Sequence, residues 1–477
     1  MKMGFHFFLF TIEIPQWGLS SPLQKALSCL FLMVLIFIRI FAEAFCAFFV
    51  YMNKYIILFL ILLVLLPLSE GLSLYAQIVT DSIWSAQVKT VVLCRGGVEG
   101  ESPVLSLGSE DRLLLRFDVL DAEVGSYRYR IEHCDSRWQR DELDPYEYIN
   151  GFEEEAIEGY NSSFTTLTDY VNYFQYIPGK HSQLLVSGNY VVTVFDQEEP
   201  DRILFTRRFY VTEGSLKADV AVVSPYDGGS VRERREVDVT VSENRDYRGD
   251  VPWPTLNPAW CHVLVQQNGR TDNMRWLPFG GFEGSSLCYR HKPENVFACG
   301  NTFRWFDISN IRTATYNVAQ IADYGGEWYA TLKPLEDRSK ANFIAEEVLC
   351  GGMKVNVWDR TNKQTEADYV WVHFLLPMRY PFMNGSVHVA GELTNWCLDE
   401  HSRMEYRPDL KAYTLRLHLK QGYYSYQLLF VPVGETEGAT NVLEGDHFET
   451  PNRYTAFVYY RGANDRYDRL VAIGRSR

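Results

Sequence analysis

Two neighbouring stretches decide the fold: LLLRFDVL at residues 113–120 and YRYRIEHC at residues 127–134. Leu113, Leu115, Phe117 and Val119 share one face of the first stretch, with Arg116 and Asp118 on the other, and in the second stretch Tyr127, Tyr129 and Ile131 alternate with Arg128, Arg130 and Glu132. Successive side chains on a strand point to opposite faces, so this period of two predicts strands that bury one face. The same period returns at residues 190–194, 237–241, 261–265, 353–357 and 369–371.

The whole chain therefore reads as all-β, built of tandem antiparallel β-sandwich domains of the immunoglobulin-like kind. After residue 77 no stretch of comparable length shows the 3.6-residue period of a helix. A chain of 477 residues exceeds one ordinary core, because domains usually hold about 100–200 residues. Breaks near residues 213–215 and 376–377 predict three blocks, at 77–212, 213–376 and 377–477.

The N-terminal region predicts export. Lys54 precedes an apolar run at residues 55–66, and Ala76-Gln77 is a suitable cleavage point, so residues 52–76 are interpreted as a signal peptide. The alternative, a membrane anchor, needs about 20 apolar residues, more than this run supplies. Residues 1–51 are interpreted as an upstream extension from a miscalled start codon.

Charge and motifs exclude several classes of protein. The net charge of −14 argues against nucleic acid as a partner, because such binding needs basic patches. The sequence contains no G-x-S-x-G, H-E-x-x-H or phosphate-binding loop, and no Cys pair has C-x-x-C spacing. We therefore expect no enzyme activity, catalytic residue, cofactor, metal site or small-molecule substrate.

Two clusters of polar residues resemble sites, and we interpret both as structural. His133 and Cys134 are adjacent, so on a strand they point apart and cannot form a nucleophile–base pair. Between residues 301 and 307, Arg304 and Asp307 could pair beside aromatic residues.

The last block carries a pattern similar to the immunoglobulin-like glycan-binding modules that accompany starch-active enzymes. A strand leads into Gly391, then Asn395-Trp396, and Tyr424 follows on a later strand. In such modules an exposed indole stacks on a sugar. The interpretation preferred here is that Trp396 is a core anchor packed against Tyr424 or Tyr426.

A longer series of motifs resembles the plug protein of the type IX secretion system of Bacteroidetes. The first block contributes Tyr127-x-Tyr129, His133-Cys134-x-x-x-Trp138, Tyr148-x-x-Gly151-Phe152, Tyr160-x-x-Ser163, Tyr173, Pro178, Ser187-Gly188-Asn189-Tyr190 and Arg208-Phe209. The middle block contributes Gln267-Asn268-Gly269-Arg270-x-Asp272-Asn273, Asn295-Val296-Phe297, Gly300-Asn301-x-Phe303-Arg304 and Phe306-Asp307. The last block contributes Gly391-Glu392-Leu393-x-Asn395-Trp396, Lys420-Gln421-Gly422-Tyr423-Tyr424, Glu444-Gly445, Phe448-Glu449-Thr450, Asn452-x-Tyr454 and Tyr459-Tyr460-Arg461. Thr302 departs from the pattern, where a Glu is expected.

This resemblance implies a periplasmic protein that closes an outer-membrane β-barrel translocon by protein–protein contact. It also implies that the motif residues serve structure or interaction rather than chemistry. The alternative is a periplasmic or surface glycan-binding protein that uses Trp396 and Tyr424.

Overall fold

The computed structural model describes residues 33–34, 79–100, 102–120 and 123–476. Contacts divide the chain into residues 1–76 and residues 77–477, and the fold below is that of the second part. The predicted signal peptide and upstream extension lie outside the described residues. Among the residues that were described, no helix is long and apolar enough to cross a membrane.

The first sandwich is formed by strands between residues 88 and 212. Its strands are β1 (Val88–Arg95), β2 (Val104–Ser106), β3 (Leu113–Leu120), β4 (Tyr127–Cys134), β5 (Ile149–Asn150), β6 (Glu154–Ala156), β7 (Gly159–Ser162), β8 (Tyr170–Ile177), β9 (Gln183–Leu184), β10 (Gly188–Asp196) and β11 (Ile203–Thr212). Sheets of order β1-β3-β8-β7 and β2-β11-β10-β4-β6 face each other, and β5 pairs with β9. A single helical turn, α1 (Pro145–Tyr148), precedes β5.

The alternation in β3 places Leu113, Leu115 and Phe117 in the core of this sandwich. The opposite face of β3 is buried as well, and Asp118 has no exposed surface. The prediction of half-buried strands is therefore incomplete here, because another part of the chain covers the polar face.

The second sandwich begins immediately after the first. Its first seven strands are β12 (Leu216–Val223), β13 (Arg234–Glu243), β14 (Cys261–Gln267), β15 (Arg275–Leu277), β16 (Gly281–Glu283), β17 (Ser286–Tyr289) and β18 (Val296–Ala298). A one-turn 3-10 helix, Pro293–Asn295, precedes β18.

The chain then leaves this sandwich and forms one nine-stranded sheet, here called the inserted unit. Its strands are β19 (Arg304–Asp307), β20 (Val318–Tyr324), β21 (Glu327–Leu332), β22 (Met353–Val355), β23 (Tyr369–Pro377), β24 (Gly385–Ala390), β25 (Arg403–Arg407), β26 (Ala412–Lys420) and β27 (Gly422–Pro432). The order is β19-β27-β24-β25-β26-β23-β21-β20, with β22 also on β27. A second 3-10 helix, Glu392–Thr394, follows β24.

Two final strands return to the second sandwich. β28 (Tyr454–Tyr460) pairs antiparallel with β14, and β29 (Arg469–Arg475) pairs with β28. Residues of β28 and β29 share one core with β13, β14 and β17. The second sandwich is thus assembled from two distant parts of the chain.

The all-β sandwich class predicted from the sequence is confirmed, but the strands do not follow the boundary predicted at residues 376–377. β19 and β22, from the predicted middle block, pair with β27 of the predicted last block. A cut at residue 376 would divide one sheet and separate β28 from β14. The reason is that backbone pairing joins segments far apart in sequence, which local alternation does not report.

Candidate interaction site at the junction of the three β units

His133 and Cys134, at the end of β4, face opposite sides as strand geometry predicts. His133 is buried; its Nδ1 pairs with the Asp141 carboxylate, and its Nε2 donates to the Ser187 carbonyl oxygen at 3.2 Å. A Cβ at Gly188 would lie 2.4 Å from His133 Nε2, which explains the glycine of the Ser187-Gly188 motif. His133 therefore fixes the position of the residues that begin β10.

Cys134 lies in a separate small core with Trp138 and Val191. Burial raises the pKa of the Cys134 thiol to about 12, so the thiol stays protonated and is a poor nucleophile at neutral pH. Trp138 packs edge-on against Tyr210, and the Arg208 guanidinium lies 4.8 Å from its ring centre. Both residues pack the first sandwich.

Arg304 does not pair with Asp307, so that expectation is wrong. Its Nε donates to Glu444 Oε1 at 2.9 Å, and Asp307 instead accepts the Ser309 N–H at 2.8 Å. Residues three apart on a strand point to opposite faces, which separates Arg304 from Asp307. Asn301 joins the same cluster by donating to the Glu444 carbonyl oxygen at 2.7 Å.

Glu444 is fully buried between two guanidinium groups. Arg338 also pairs with its carboxylate. Burial alone would raise the pKa of Glu444, but Arg304 and Arg338 outweigh it and lower that pKa below its ordinary value. This arrangement ties the segment before β28 to β19 and to the loop after β21.

Asn268 and Arg270 fasten the second sandwich to the returning chain and to the inserted unit. The Asn268 N–H donates to the Arg453 carbonyl oxygen, its Oδ1 accepts the Arg453 N–H at 2.8 Å, and its Nδ2 donates to Asn452 Oδ1 at 2.6 Å. Arg270 is buried in a two-point pair with Asp272 and donates to the Gly438 carbonyl oxygen at 2.7 Å. Asn268 therefore fixes the returning chain within the second sandwich, and Arg270 joins that sandwich to the segment after β27.

Asn395 and Trp396 lie between the inserted unit and the first sandwich. Asn395 adopts a left-handed backbone with φ 53°, and its Oδ1 accepts a bond from Arg207 at 2.7 Å. The Trp396 indole is half-buried, edge-on to Phe303 with ring centres 6.2 Å apart. A Cβ at Gly351 would lie 2.4 Å from the indole, so this glycine makes room for it.

Tyr424 does not contribute to a glycan platform, and it does not pack against Trp396. Its side chain is 1% exposed and stacks on Phe306 inside the inserted unit, where Tyr426 also lies. Its hydroxyl donates to the Lys420 carbonyl oxygen. The predicted anchor role of Trp396 thus involves Phe303 rather than Tyr424 or Tyr426.

Two buried ion pairs between units were not anticipated from the sequence. Lys420 of β26 lies 2.6 Å from Asp118 of β3, with both side chains 1% exposed. Arg469 of β29 makes two bonds, 2.8 and 2.9 Å long, to Glu213 at the end of the first sandwich. The sequence does show charged residues on the polar face of alternating strands. It does not show which residues pair, because the partners are far apart along the chain.

One group of potential metal ligands comes together among the described residues. Glu236 and Asp238 lie on β13, and His291 Nδ1 is 3.0 Å from Glu236. Burial, followed by the neighbouring Glu236, raises the pKa of Asp238 to about 6. Glu236 already accepts the N–H groups of Tyr226 and His291, at 2.6 and 2.7 Å, so it fastens two turns to the strand.

The three units meet at an open cleft, and Trp396 is one of the residues that line it. Two contiguous cavities, of about 260 and 680 Å³, form it. Six cationic side chains line the cleft, against three acidic ones. The cationic residues are Arg207, Arg208, Lys354, Lys363, Arg453 and Arg475, and the acidic residues are Asp81, Glu99 and Glu392.

Comparison with known proteins identifies the first sandwich. Residues 88–213, which span it, match the family described as type 9 secretion system plug protein, first domain. The first sandwich belongs to this family of plug domains. The family match ends at Glu213, the residue whose carboxylate binds Arg469.

A solved structure extends the likeness to the other units. A hypothetical protein from Parabacteroides merdae is 31% identical, with a TM-score of 0.78 over 83% of this chain and 98% of that one. No curated protein matches the sequence. The arrangement of the three units therefore recurs in a second protein.

Several of the motif residues stabilise the structure. His133, Cys134 and Trp138 pack the first sandwich, and Asn268 fixes the chain that returns to the second sandwich. Arg270 and Asn395 join one unit to another.

Proposed function

We propose that this protein is a periplasmic plug of the type IX secretion system, which closes the outer-membrane β-barrel translocon by protein–protein contact and without catalysis. The observation that carries the proposal is the match of residues 88–213 to the first plug domain. Closing a pore requires a body of fixed shape and adhesive surfaces, and the structure has features suited to both.

Fixed shape is favoured by the buried contacts between units. Asp118 accepts bonds from Lys420 and from the Tyr369 hydroxyl, both at 2.6 Å. Asp368 of the inserted unit accepts the N–H groups of Leu167 and Thr168. A buried carboxylate that loses its partner is costly, so these contacts resist separation of the units.

Adhesive surface is available on every unit. Exposed aromatic side chains are common anchors of protein interfaces. The first sandwich exposes Tyr146, Phe152 and Phe164, the second Trp253 and Phe282, and the inserted unit Tyr316, Trp358 and Tyr380.

The decisive experiment is affinity purification of the tagged full-length protein from native membranes. We expect a very large β-barrel protein to co-purify, and a deletion strain to admit a large antibiotic that the parent excludes. The double substitution Phe152→Ser with Phe164→Ser tests the first sandwich as a contact surface. The double substitution Trp253→Ser with Phe282→Ser, on the second sandwich, is the matched control. Failure of any barrel to co-purify, with unchanged permeability of the deletion strain, would refute the proposal.

A further inference from the structure

The cleft between the three units carries charge opposite to that of the rest of the protein. The chain has a net charge of −14, yet six cationic side chains outnumber three acidic ones around this cleft. Two of the cations are neutralised, because Arg208 pairs with Asp81 and Lys363 pairs with Glu99. Local positive charge of this kind attracts an anionic partner.

Four cations of the cleft have no carboxylate partner among the residues that the structure describes: Arg207, Lys354, Arg453 and Arg475. Arg207 is only 7% exposed, and its two side-chain bonds go to the neutral oxygens of Thr206 and Asn395. A buried guanidinium without a counter-ion is costly, and an anionic ligand in the cleft would offset that cost.

The edge of β22 that faces the cleft is already satisfied within the chain. β22 pairs with β27 on one side, and its Met353 and Val355 N–H groups donate to side chains on the other. The acceptors are the carboxylates of Glu392 and Glu99, at 2.9 and 3.2 Å. Two of the three acidic groups of the cleft are thus engaged by backbone donors, which leaves the unpaired cations to attract a ligand.

We propose that this cleft binds an extended, acidic polypeptide segment of a partner protein. The segment would lie across the cleft with its carboxylates toward Arg453, Arg475 and Lys354, while Glu392 and Glu99 keep the N–H groups of Met353 and Val355. The half-buried Trp396 indole supplies the apolar contact between the charged groups. This inference concerns the ligand of the cleft and stands independently of pore closure.

The test uses the full-length protein and the eight-residue peptide (Glu-Val)4, with (Lys-Val)4 as its charge-reversed counterpart. At low ionic strength we expect (Glu-Val)4 to bind by calorimetry, with affinity falling steeply as salt is added, and (Lys-Val)4 not to bind. Arg453→Glu with Arg475→Glu should weaken binding at least tenfold. The matched control, Arg137→Glu with Arg232→Glu, removes two exposed arginines outside the cleft and should leave the affinity unchanged.

Retained binding in the cleft variant, equal losses in both variants, or no binding at low salt would each overturn the proposal. Vesicles of phosphatidylglycerol and inorganic phosphate serve as competing anions. If either displaces the peptide completely at equal charge concentration, the site recognises charge alone and the extended-polypeptide assignment is wrong. A chain with Trp396→Phe keeps the charges and should bind with only a few-fold loss, which separates the indole contact from the electrostatic one.

Discussion

The Asp118–Lys420 pair shows how one residue of an alternating strand can join two units. Burial lowers the pKa of Lys420, and the Asp118 carboxylate opposes this effect. The sequence predicts that Asp118 lies on the polar face of β3, but it cannot predict a partner 302 residues away.

Lys420→Met should destabilise the protein by about 3–5 kcal/mol, because Asp118 then stays buried without its cation. Adding Asp118→Asn should recover a large part of the loss. Urea unfolding of the single and double variants measures both values. Lys217→Met, at the exposed Lys217–Asp219 pair, is the control and should cost less than about 1 kcal/mol. A Lys420→Met cost as small as the control would contradict the buried pair.

His418 predicts how stability depends on pH. Burial, followed by the nearby Lys89 charge, lowers its pKa from 6.5 to about 4. Between pH 6.5 and 4, His418 therefore binds a proton in the unfolded chain and stays neutral in the folded chain. The contribution of His418 to the free energy of unfolding should be constant above pH 6.5. It should fall as the pH drops from 6.5 to 4, by at most about 1.4 kcal/mol per pH unit.

His418→Phe preserves the stacking on Trp371, whose ring centre is 4.2 Å away, and should make that slope shallower. The lowered pKa values of His373 and His388 account for the slope that remains. The exposed His401, changed in the same way, should leave the slope intact. Melting temperatures measured between pH 7 and 4 provide the comparison, and parallel curves for all three proteins would disprove the assignment.

Trp396 separates the anchor role from the sugar-platform role. Because its indole is half-buried against Phe303, Trp396→Ala should cost about 1–2 kcal/mol, below the ~3–5 kcal/mol of a fully buried Trp. The full-length protein should bind no α-glucan before or after the change. An unchanged melting temperature together with loss of glycan-array binding would favour the carbohydrate function.

At the scale of the strands, the alternation predicts which residues face the core and does not predict pairing over long distances. Val263 and Val265 of β14 are buried as their period indicates. Their partners in β28 are not visible from any local pattern, since Gln267 and Tyr454 are 187 residues apart. The site had the same limit, because the motifs contain both Arg304 and Glu444 but only the fold shows that these two residues pair.

Removal of residues 452–477 should expose the second core, because β14 then lacks β28. We expect limited proteolysis to degrade residues 216–298 in this variant while the first sandwich survives. A synthetic peptide of residues 452–477 should restore protection. The fragment 377–477 should stay unfolded, because it lacks β19 to β22, nearly all of β23, which pairs with β26, and β14. A folded fragment, shown by dispersed NMR signals, would argue against the sheet topology.

At the scale of the whole molecule, buried pairs at each junction couple the three cores. Lys420–Asp118 joins the first sandwich to the inserted unit, and Arg469–Glu213 joins it to the second sandwich. Calorimetry should therefore show a single unfolding transition for residues 77–477. The double variant Lys420→Met with Arg469→Met should unfold in at least two separate transitions. A wild-type protein that already unfolds in several transitions would mean that the junctions are weak.

The late return of β28 and β29 sets an order of events during folding. The first sandwich has all its strands between residues 88 and 212, so it can fold before the rest of the chain is available. The second sandwich stays incomplete until β28 and β29 are available. Pairing of β28 with β14 then closes a loop of 187 residues. A chain interrupted anywhere before β28 keeps an exposed core, so proteases can recognise and remove incomplete copies before they compete with finished ones.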